Sequence, residues 1–332
     1  MNPGRGMPWR LLLPALAALS LLARADESGD GQDIEYAEIQ PLATESLLLD
    51  VLRTPAGRLV AVGERGHVVL SDDGLSWHQA RVVPTRSTLT TVEAVGNRLW
   101  AAGHDSVIIT SGDGGETWTR QYFDPERQQA IMDLLFDDDR NGVAIGAYGL
   151  YLLTDDGGET WLDETVDEEN EYHLNQMVRF DDGRRIIAGE AGYSYRSLDD
   201  GLSWELMDLP YQGSMWGAKA VSGRCAILFG LRGHIMESCD SGDSWMEIRV
   251  NSQSSLSAGA SDRATTLIAG NSGAILVREG RGAFAVHTHS SGVDFAAALA
   301  LGEGRFILVG EDGIHYYPED GAPGGGSEGA RP

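Results

Sequence analysis

The sequence predicts an all-β fold, a seven-bladed β-propeller, on two observations. An eight-residue pattern, Ser/Thr-x-Asp-x-Gly-x-Ser/Thr-Trp, recurs at intervals of about 40 residues and ends at Trp77, Trp118, Trp161, Trp204 and Trp245. A glycine also ends an apolar run in seven successive copies, at Gly63, Gly103, Gly146, Gly189, Gly230, Gly270 and Gly310. A fixed period of this length, with room for four short strands in each copy, is typical of propeller blades.

The recurring pattern is interpreted as the turn of a hairpin between the third and fourth strands of a blade. In the second copy, Asp113 can accept hydrogen bonds from N–H groups of the turn, Gly115 can adopt a positive φ, and Trp118 can bury its ring against the neighbouring repeat. Five near-identical copies cannot all be one active site, so we assign them a structural role. The residues are Asp72, Gly74, Trp77, Asp113, Gly115, Trp118, Asp156, Gly158, Trp161, Asp199, Gly201, Trp204, Asp240, Gly242 and Trp245.

The last two copies are incomplete. The sixth has lost the pattern, and the seventh, residues 305–318, ends before a fourth strand. Residues 34–39 alternate between apolar and polar, as a half-buried strand does. We therefore expect this N-terminal strand to pair with the last blade and close the ring, which would protect an open sheet edge.

The N-terminal residues predict an exported protein. Arg5 and Arg10 precede an apolar run that ends in Ala23-Arg24-Ala25, the pattern of a signal peptide with a small-x-small cleavage site. We therefore expect a signal peptide at residues 1–25, the propeller at 26–320 and a disordered Gly/Pro-rich tail at 321–332. The predicted location is the periplasm or another extracytoplasmic compartment, with no transmembrane segment after cleavage.

The composition limits the partners. The formal net charge is −25, so the surface repels phosphate backbones and nucleic-acid binding is not expected. The two cysteines, Cys225 and Cys239, flank one predicted hairpin and can form a disulfide in an oxidising compartment. A shift of one residue in strand register would instead point them apart and leave two thiols.

The repeated turn resembles that of the Asp-box, or BNR, repeat proteins, which are β-propellers and include sialidases, sortilin-like receptors and the photosystem II stability/assembly factor family. The copy from Gly146 to Trp161 is most similar to that last family. The resemblance implies a non-enzymatic protein without a cofactor; in phototrophs the family escorts a reaction-centre subunit during assembly. Its assembly factors present an arginine-rich patch, whereas the corresponding loops of this chain hold only Arg65 and Arg232.

In propellers of this kind, the loops between second and third strands lie on the face opposite the Asp-boxes. These loops follow the repeat glycines and can be identified directly from the sequence. We expect them to ring a central funnel that binds a partner, although ordinary solvated loops remain the alternative. The candidate residues are Glu64, Arg65, His104, Asp105, Tyr148, Glu190, Arg232, Asn271 and Asp312.

No catalytic residues are predicted. A sialidase would need an arginine triad and an Arg-Ile-Pro motif, and the motif is absent from the sequence. Residues 137–142 match the first half of a calcium loop, but Tyr148 stands where a bidentate glutamate is needed, so a strand-to-strand turn explains them better. The histidines show no metal-ligand spacing, and we predict no metal site.

The sequence therefore favours an interaction or assembly scaffold for a membrane or envelope protein complex, present as a monomer. The alternative is a carbohydrate-active propeller, either a glycosidase or a sugar-binding lectin. Two carboxylates beside exposed aromatic residues in the funnel would favour that alternative.

Overall fold

Seven antiparallel sheets follow one another along the chain in the computed structural model, which describes residues 34–262 and 264–320. Six sheets have four strands and the last has three, each in sequential order. The predicted seven-bladed propeller is confirmed. The predicted signal peptide and the predicted tail from residue 321 lie outside the described residues.

The strands are grouped by blade as follows. Blade 1 contains β1 (Leu48–Arg53), β2 (Leu59–Gly63), β3 (Val68–Ser71) and β4 (His78–Gln79), and blade 2 contains β5 (Leu89–Val95), β6 (Arg98–Gly103), β7 (Ile108–Ser111) and β8 (Thr119–Tyr122). Blade 3 contains β9 (Ile131–Phe136), β10 (Gly142–Gly146), β11 (Tyr151–Thr154) and β12 (Leu162–Asp163), and blade 4 contains β13 (Leu174–Arg179), β14 (Arg185–Gly189), β15 (Tyr195–Ser197) and β16 (Glu205–Leu206). Blade 5 contains β17 (Met215–Ser222), β18 (Cys225–Gly230), β19 (Ile235–Ser238) and β20 (Met246–Glu247). Blade 6 contains β21 (Leu256–Ser261), β22 (Thr265–Gly270), β23 (Ala274–Glu279) and β24 (Ala285–Thr288), and blade 7 contains β25 (Phe295–Gly302), β26 (Arg305–Gly310) and β27 (Gly313–Tyr317).

Short 3₁₀ turns connect the second strand to the third in the first six blades. In blade 7 a tight turn at Glu311 and Asp312 takes their place. The second residue of all seven turns has a positive φ of 53° to 59°, although none of these residues is glycine. The 3₁₀ segments are Ala43–Glu45, Glu64–Gly66, His104–Ser106, Pro125–Arg127, Ala147–Gly149, Glu190–Gly192, Leu231–Gly233 and Asn271–Gly273. We call the end of the ring that carries these seven turns the mouth face, and the opposite end the Asp-box face.

The second strand of each blade is the most buried, because the blade packs on both sides against its neighbours. All five residues of Leu59–Gly63 are buried, as are all six of Cys225–Gly230. These strands are therefore nearly continuous apolar runs, whereas the fourth strands are short and largely exposed. The core consists of clusters shared by neighbouring blades, such as the one that joins Leu70 of β3 to Ile109 of β7.

A hydroxyl and an aspartate hold each motif turn on the Asp-box face. In blade 2, the Ser111 Oγ accepts a hydrogen bond from the Gly115 N–H (3.0 Å), and Asp113 accepts from the N–H (2.9 Å) and the hydroxyl (2.6 Å) of Thr117. The same bonds recur around Asp156, Asp199 and Asp240. The pKa of Asp156 is lowered to about 2, chiefly because its carboxylate accepts the hydroxyl and the N–H of Thr160.

In blade 1 the turn is one residue shorter, and Asp73 holds it rather than the predicted Asp72. Asp73 Oδ1 accepts hydrogen bonds from the N–H groups of Leu75 (2.8 Å) and Ser76 (2.7 Å), and Ser71 supplies the hydroxyl. Asp72 instead forms an ion pair with Arg58. The prediction aligned the copies backwards from their tryptophans, which placed the aspartate one residue too early.

The turns also bind each blade to the blade before it. The Trp100 indole N–H of blade 2 donates to the Gly157 carbonyl of blade 3 (3.0 Å), and the Tyr151 hydroxyl donates to the Gly201 carbonyl (3.0 Å). The ring closes with the same contact, because the Tyr316 hydroxyl of blade 7 donates to the Gly74 carbonyl of blade 1 (2.6 Å).

The predicted closing strand does not form. Residues 34–40 lie along the outer edge of blade 1, where the Ala37 N–H donates to the Val83 carbonyl (2.9 Å) and the Gln79 side chain donates to the Glu38 carbonyl (2.9 Å). Ile34 and Ile39 are 43% and 64% exposed, so the alternation that suggested a strand has no buried face. Blade 7 keeps three strands.

We predict that Asp73→Ala lowers the melting temperature by several degrees at neutral pH, while Asp72→Ala changes it little. Only the first substitution removes the acceptor that holds the turn. Asp72→Ala removes a surface ion pair that contributes little to the free energy of unfolding. The hydrogen bonds from Ser76 and Leu75 lower the pKa of Asp73 to about 2. The difference between wild type and Asp73→Ala should therefore shrink as the pH falls from about 4 to about 2, because Asp73 becomes protonated. Equal melting temperatures for the two variants at neutral pH would contradict this assignment.

Candidate functional site

A cavity of about 370 Å³ opens on the mouth face, and every blade contributes one residue of its innermost strand to the lining. The pairing of the first and second strands is shifted at this point in each blade, so the lining residue bulges out of the ladder. The seven residues are Leu49, Thr90, Met132, Asn175, Trp216, Ser257 and Ala296, and His173 and Glu190 complete the lining.

The polar members of this ring bind the next blade. The Thr90 hydroxyl donates to the Ile131 carbonyl, the Asn175 amide donates to the Met215 carbonyl and the Ser257 hydroxyl donates to the Phe295 carbonyl. Their donor groups are thereby used within the ring. The side chains of Leu49, Met132 and Trp216 make the mouth mainly apolar on the inner side.

Carboxylates follow the lining residues along two of the inner strands. Asp50 and Asp133, directly after Leu49 and Met132, accept hydrogen bonds from the N–H groups of Val92 (2.8 Å) and Met177 (2.7 Å) in the next blade. Burial raises the pKa of Asp50, and it raises the pKa of Asp133 to about 7. These carboxylates connect neighbouring blades.

Glu93, on strand β5, lies near the carboxylates of Asp50 and Asp133. Burial, together with the charges of Asp133 and Asp50, raises its pKa to about 8, and the charge of Lys219 opposes this rise. Lys219 is the only lysine of the sequence. The channel below the mouth therefore concentrates acidic groups around one cation.

Aromatic side chains collect on one side of the mouth. Trp216, which lines the cavity, is 38% exposed, and Tyr148 is 57% exposed. The Tyr148 ring meets the His173 ring edge to face, with centroids 4.9 Å apart. Tyr172 stacks on Tyr193 with centroids 4.3 Å apart.

The nine predicted candidates lie in the turns of the mouth face, and Glu190 lines the cavity. Several have structural contacts: Glu64 and Glu190 accept the N–H groups of Leu47 (3.4 Å) and His173 (3.3 Å) at the entry to the inner strands. The Asp105 carboxylate accepts from the Ser87 hydroxyl (2.6 Å), and the Asn271 amide donates to Asp294 (2.7 Å).

Arg65, His104, Tyr148, Arg232 and Asp312 are exposed. Neither Arg65 nor Arg232 has an ion-pair partner among the described residues, and the two arginines belong to the separate blades 1 and 5. The mouth face therefore does not gather them into one patch.

Sequence reasoning missed the ring of lining residues. A signal was present, because each lies 13 or 14 residues before the glycine that ends the second strand. The bulge interrupts the alternation of side chains along the inner strand. The direction in which each lining side chain points therefore cannot be derived from the sequence.

Three arginines of blade 4 are paired with acidic residues. Arg185 is buried in an ion pair with Asp137 (2.6 Å), and Arg184 and Arg196 contact Asp243 (3.1 and 2.7 Å). The calcium-like segment forms a turn in which Asp138 accepts the N–H groups of Arg140 and Asn141. Over residues 34–262 and 264–320, no group of three or more histidine, cysteine or acidic residues is arranged to hold a metal ion.

Cys225 and Cys239 face each other at the start of β18 and just after β19, and a disulfide joins them. The Arg281 guanidinium lies 3.0 Å and 2.7 Å from the two sulfurs. The described part of the chain has no helix that is long and apolar enough to cross a membrane.

A family model described as photosynthesis system II assembly factor YCF48 matches residues 121–295, more than half of the chain. The chain belongs to the YCF48 family. The resemblance inferred from the repeated turns is thereby confirmed. No curated protein sequence matches the chain.

Solved structures agree with this assignment at the level of the fold. A YCF48 bound to D1 peptide is similar with a TM-score of 0.68 and 18% identity, over 86% of this chain and 94% of that chain. YCF48 from Cyanidioschyzon merolae has a TM-score of 0.65 and 17% identity, over 84% and 97%. The Swd1 propeller domain from Myceliophteria thermophila has a TM-score of 0.65 at 12% identity, over 83% and 97%. These low identities show the fold alone.

We predict that the channel carboxylates make stability fall as the pH rises from about 5 to about 9. Folding raises the pKa values of Glu93 and Asp133, so the folded state binds more protons than the unfolded state between about pH 4 and about pH 8. Glu93→Gln should raise the melting temperature by several degrees at pH 8.5 and much less at pH 5. Glu159→Gln, at an exposed position of the Asp-box face, serves as the control. An equal effect of Glu93→Gln at both pH values would contradict the role of Glu93.

Proposed function

We propose that this member of the YCF48 family is an exported, non-enzymatic scaffold that binds a segment of a partner protein at the mouth face. The partner is a component of a membrane or envelope complex, and the scaffold acts as a monomer without a cofactor. The observation that carries the proposal is the cavity lined by one bulged residue from each blade, with Trp216 and Tyr148 exposed beside it.

Exposed aromatic side chains on a rigid surface favour protein binding. Tryptophan and tyrosine are enriched at the energetic centres of protein interfaces because they bury a large area at a small cost in conformational entropy. The hydrogen bonds between blades hold the ring of lining residues in place, so little ordering is required on binding.

The family gives independent support. One solved YCF48 is bound to D1 peptide, so a protein of similar fold has a peptide as its ligand. For the present chain, we propose the same kind of ligand, a peptide segment of a partner. The signal peptide predicted at residues 1–25 supports export.

A carbohydrate-binding function is the second candidate. The flat rings of Trp216 and Tyr148 next to Glu190 would also suit a sugar, which stacks on aromatic faces and hydrogen-bonds to carboxylates. A glycan array with the purified mature protein separates the two candidates. Binding to one glycan class that is lost in Trp216→Ala would favour the lectin.

We predict that a tagged mature protein, chemically cross-linked in cells, captures one membrane or envelope protein, and that Trp216→Ala reduces its yield at least fivefold. The substitution removes the largest exposed ring at the cavity. Leu202→Ala is the matched control, because Leu202 is 84% exposed on the Asp-box face. Charge reversal of Arg65 and Arg232 to Glu, in the same assay, measures whether the exposed arginines contribute.

Mass spectrometry of the captured material provides the readout, with the melting temperature of each variant as a check on folding. Equal capture by wild type, Trp216→Ala and Leu202→Ala would contradict a site at the mouth. The absence of any captured protein would contradict the scaffold function.

A further inference from the structure

The aromatic side of the mouth has the composition of a site for a positively charged group. Trp216 and His173 line the cavity, the Tyr148 ring meets the His173 ring edge to face, and Tyr172 directly precedes His173 in the chain. The faces of aromatic rings carry negative electrostatic potential and attract ammonium and guanidinium groups. A cation inserted into the cavity would therefore contact aromatic rings and carboxylates at the same time.

Acidic side chains surround these rings. Residues 164–173, which join blade 3 to blade 4 on this face, contain five acidic residues and no lysine or arginine. Asp167 bonds to Tyr195 (2.8 Å) and Asn170 (3.0 Å), but Glu168, Glu169 and Glu171 are exposed and have no ion-pair partner within the described residues. Glu190 lines the cavity, and the Nδ1 atom of the His173 ring lies 4.0 Å from its carboxylate.

The cations of the mouth face do not neutralise this side. Arg127 is paired with Asp163 at 2.6 Å, and Arg86 with Glu38 at 3.1 Å. Arg65 belongs to the turn of blade 1, away from the aromatic side. Arg232 belongs to the turn of blade 5, on the aromatic side, where its single charge is set against the exposed carboxylates of residues 168, 169 and 171.

We propose that the mouth binds a lysine or arginine side chain of the partner segment, held between the rings of Trp216, Tyr148 and His173 and the carboxylate of Glu190. This inference rests on the proposed function and specifies its ligand: a basic segment, with one cationic side chain inserted into the cavity. A neutral segment would lack the attraction to the rings and carboxylates, and an acidic segment would be repelled.

The test measures binding of three fluorescent ten-residue peptides by anisotropy at 150 mM salt. They share a Gly/Ser sequence and carry four lysines, four glutamines or four glutamates at the same positions. The lysine peptide should bind wild-type protein at least tenfold more tightly than the glutamine peptide, and the glutamate peptide should not bind. Trp216→Ala and Tyr148→Ala should each weaken binding of the lysine peptide at least threefold, as expected for the loss of a cation–π contact.

Matched variants separate this site from the general attraction of an acidic protein for a basic peptide. Tyr36→Ala removes a tyrosine that is 53% exposed outside the cavity, and it should leave binding unchanged. Glu171→Gln with Glu190→Gln should weaken binding more than Asp155→Asn with Glu159→Gln, which makes the same charge change on the Asp-box face. Equal losses for the two charge pairs, or no loss in either aromatic variant, would overturn the proposal.

The captured partner provides a second test, whose failure is distinct from that of the proposed function. The peptide of the partner that is cross-linked to the mouth should contain a lysine or arginine, and changing that residue to glutamine should reduce capture at least fivefold. Capture that depends on Trp216 but involves a segment without such a residue would overturn the cation site and leave the scaffold function standing.

Discussion

The contact of each blade with the blade before it is the interaction on which the structure depends. A single blade has two apolar faces and cannot bury either of them alone, so the second strands are buried only within the ring. Side chains of Trp100, Tyr151 and Tyr316 donate to carbonyls in the turns of the following blades. The last of these bonds joins blade 7 to blade 1, so the ring closes by side-chain packing and not by a shared strand.

The same constraint creates the candidate site. The inner strand of every blade is bulged at its start, and the bulged residue is turned towards the axis. The polar members bind the next blade and stabilise the ring. The apolar and aromatic members remain available at the cavity, which gives this end of the channel the features of an interface centre.

The sequence predicted the number of blades because the repeat glycines and the motif turns have clear local causes. The glycine before each turn packs against the backbone at the start of the inner strand, where a β-carbon would lie about 2 Å from a carbonyl oxygen in Gly63 and Gly103. Turns with such requirements are visible in a single sequence. The position of residues 34–40 could not be predicted from the sequence, because it depends on contacts with Gln79 and Val83, which lie far along the chain.

The candidate site was predicted only in part, for related reasons. The sequence located the turns of the mouth face but not the bulged residues beside them, and it did not reveal that Glu64 and Glu190 accept backbone N–H groups. In blade 1, the prediction placed the aspartate of the turn one residue too early, because this turn is one residue shorter than the others. The errors on the mouth face concern the position of a residue relative to another strand, which a repeat spacing does not specify.

Position-specific photo-cross-linking in cells can show which face of the ring contacts the partner. A photoreactive phenylalanine analogue replaces Trp216 on the mouth face or, in a separate strain, Leu202 on the Asp-box face. We expect one dominant adduct with a membrane or envelope protein from position 216 and none from position 202. An adduct that forms from position 202 and not from position 216 would place the partner on the opposite face and contradict a binding site at the mouth.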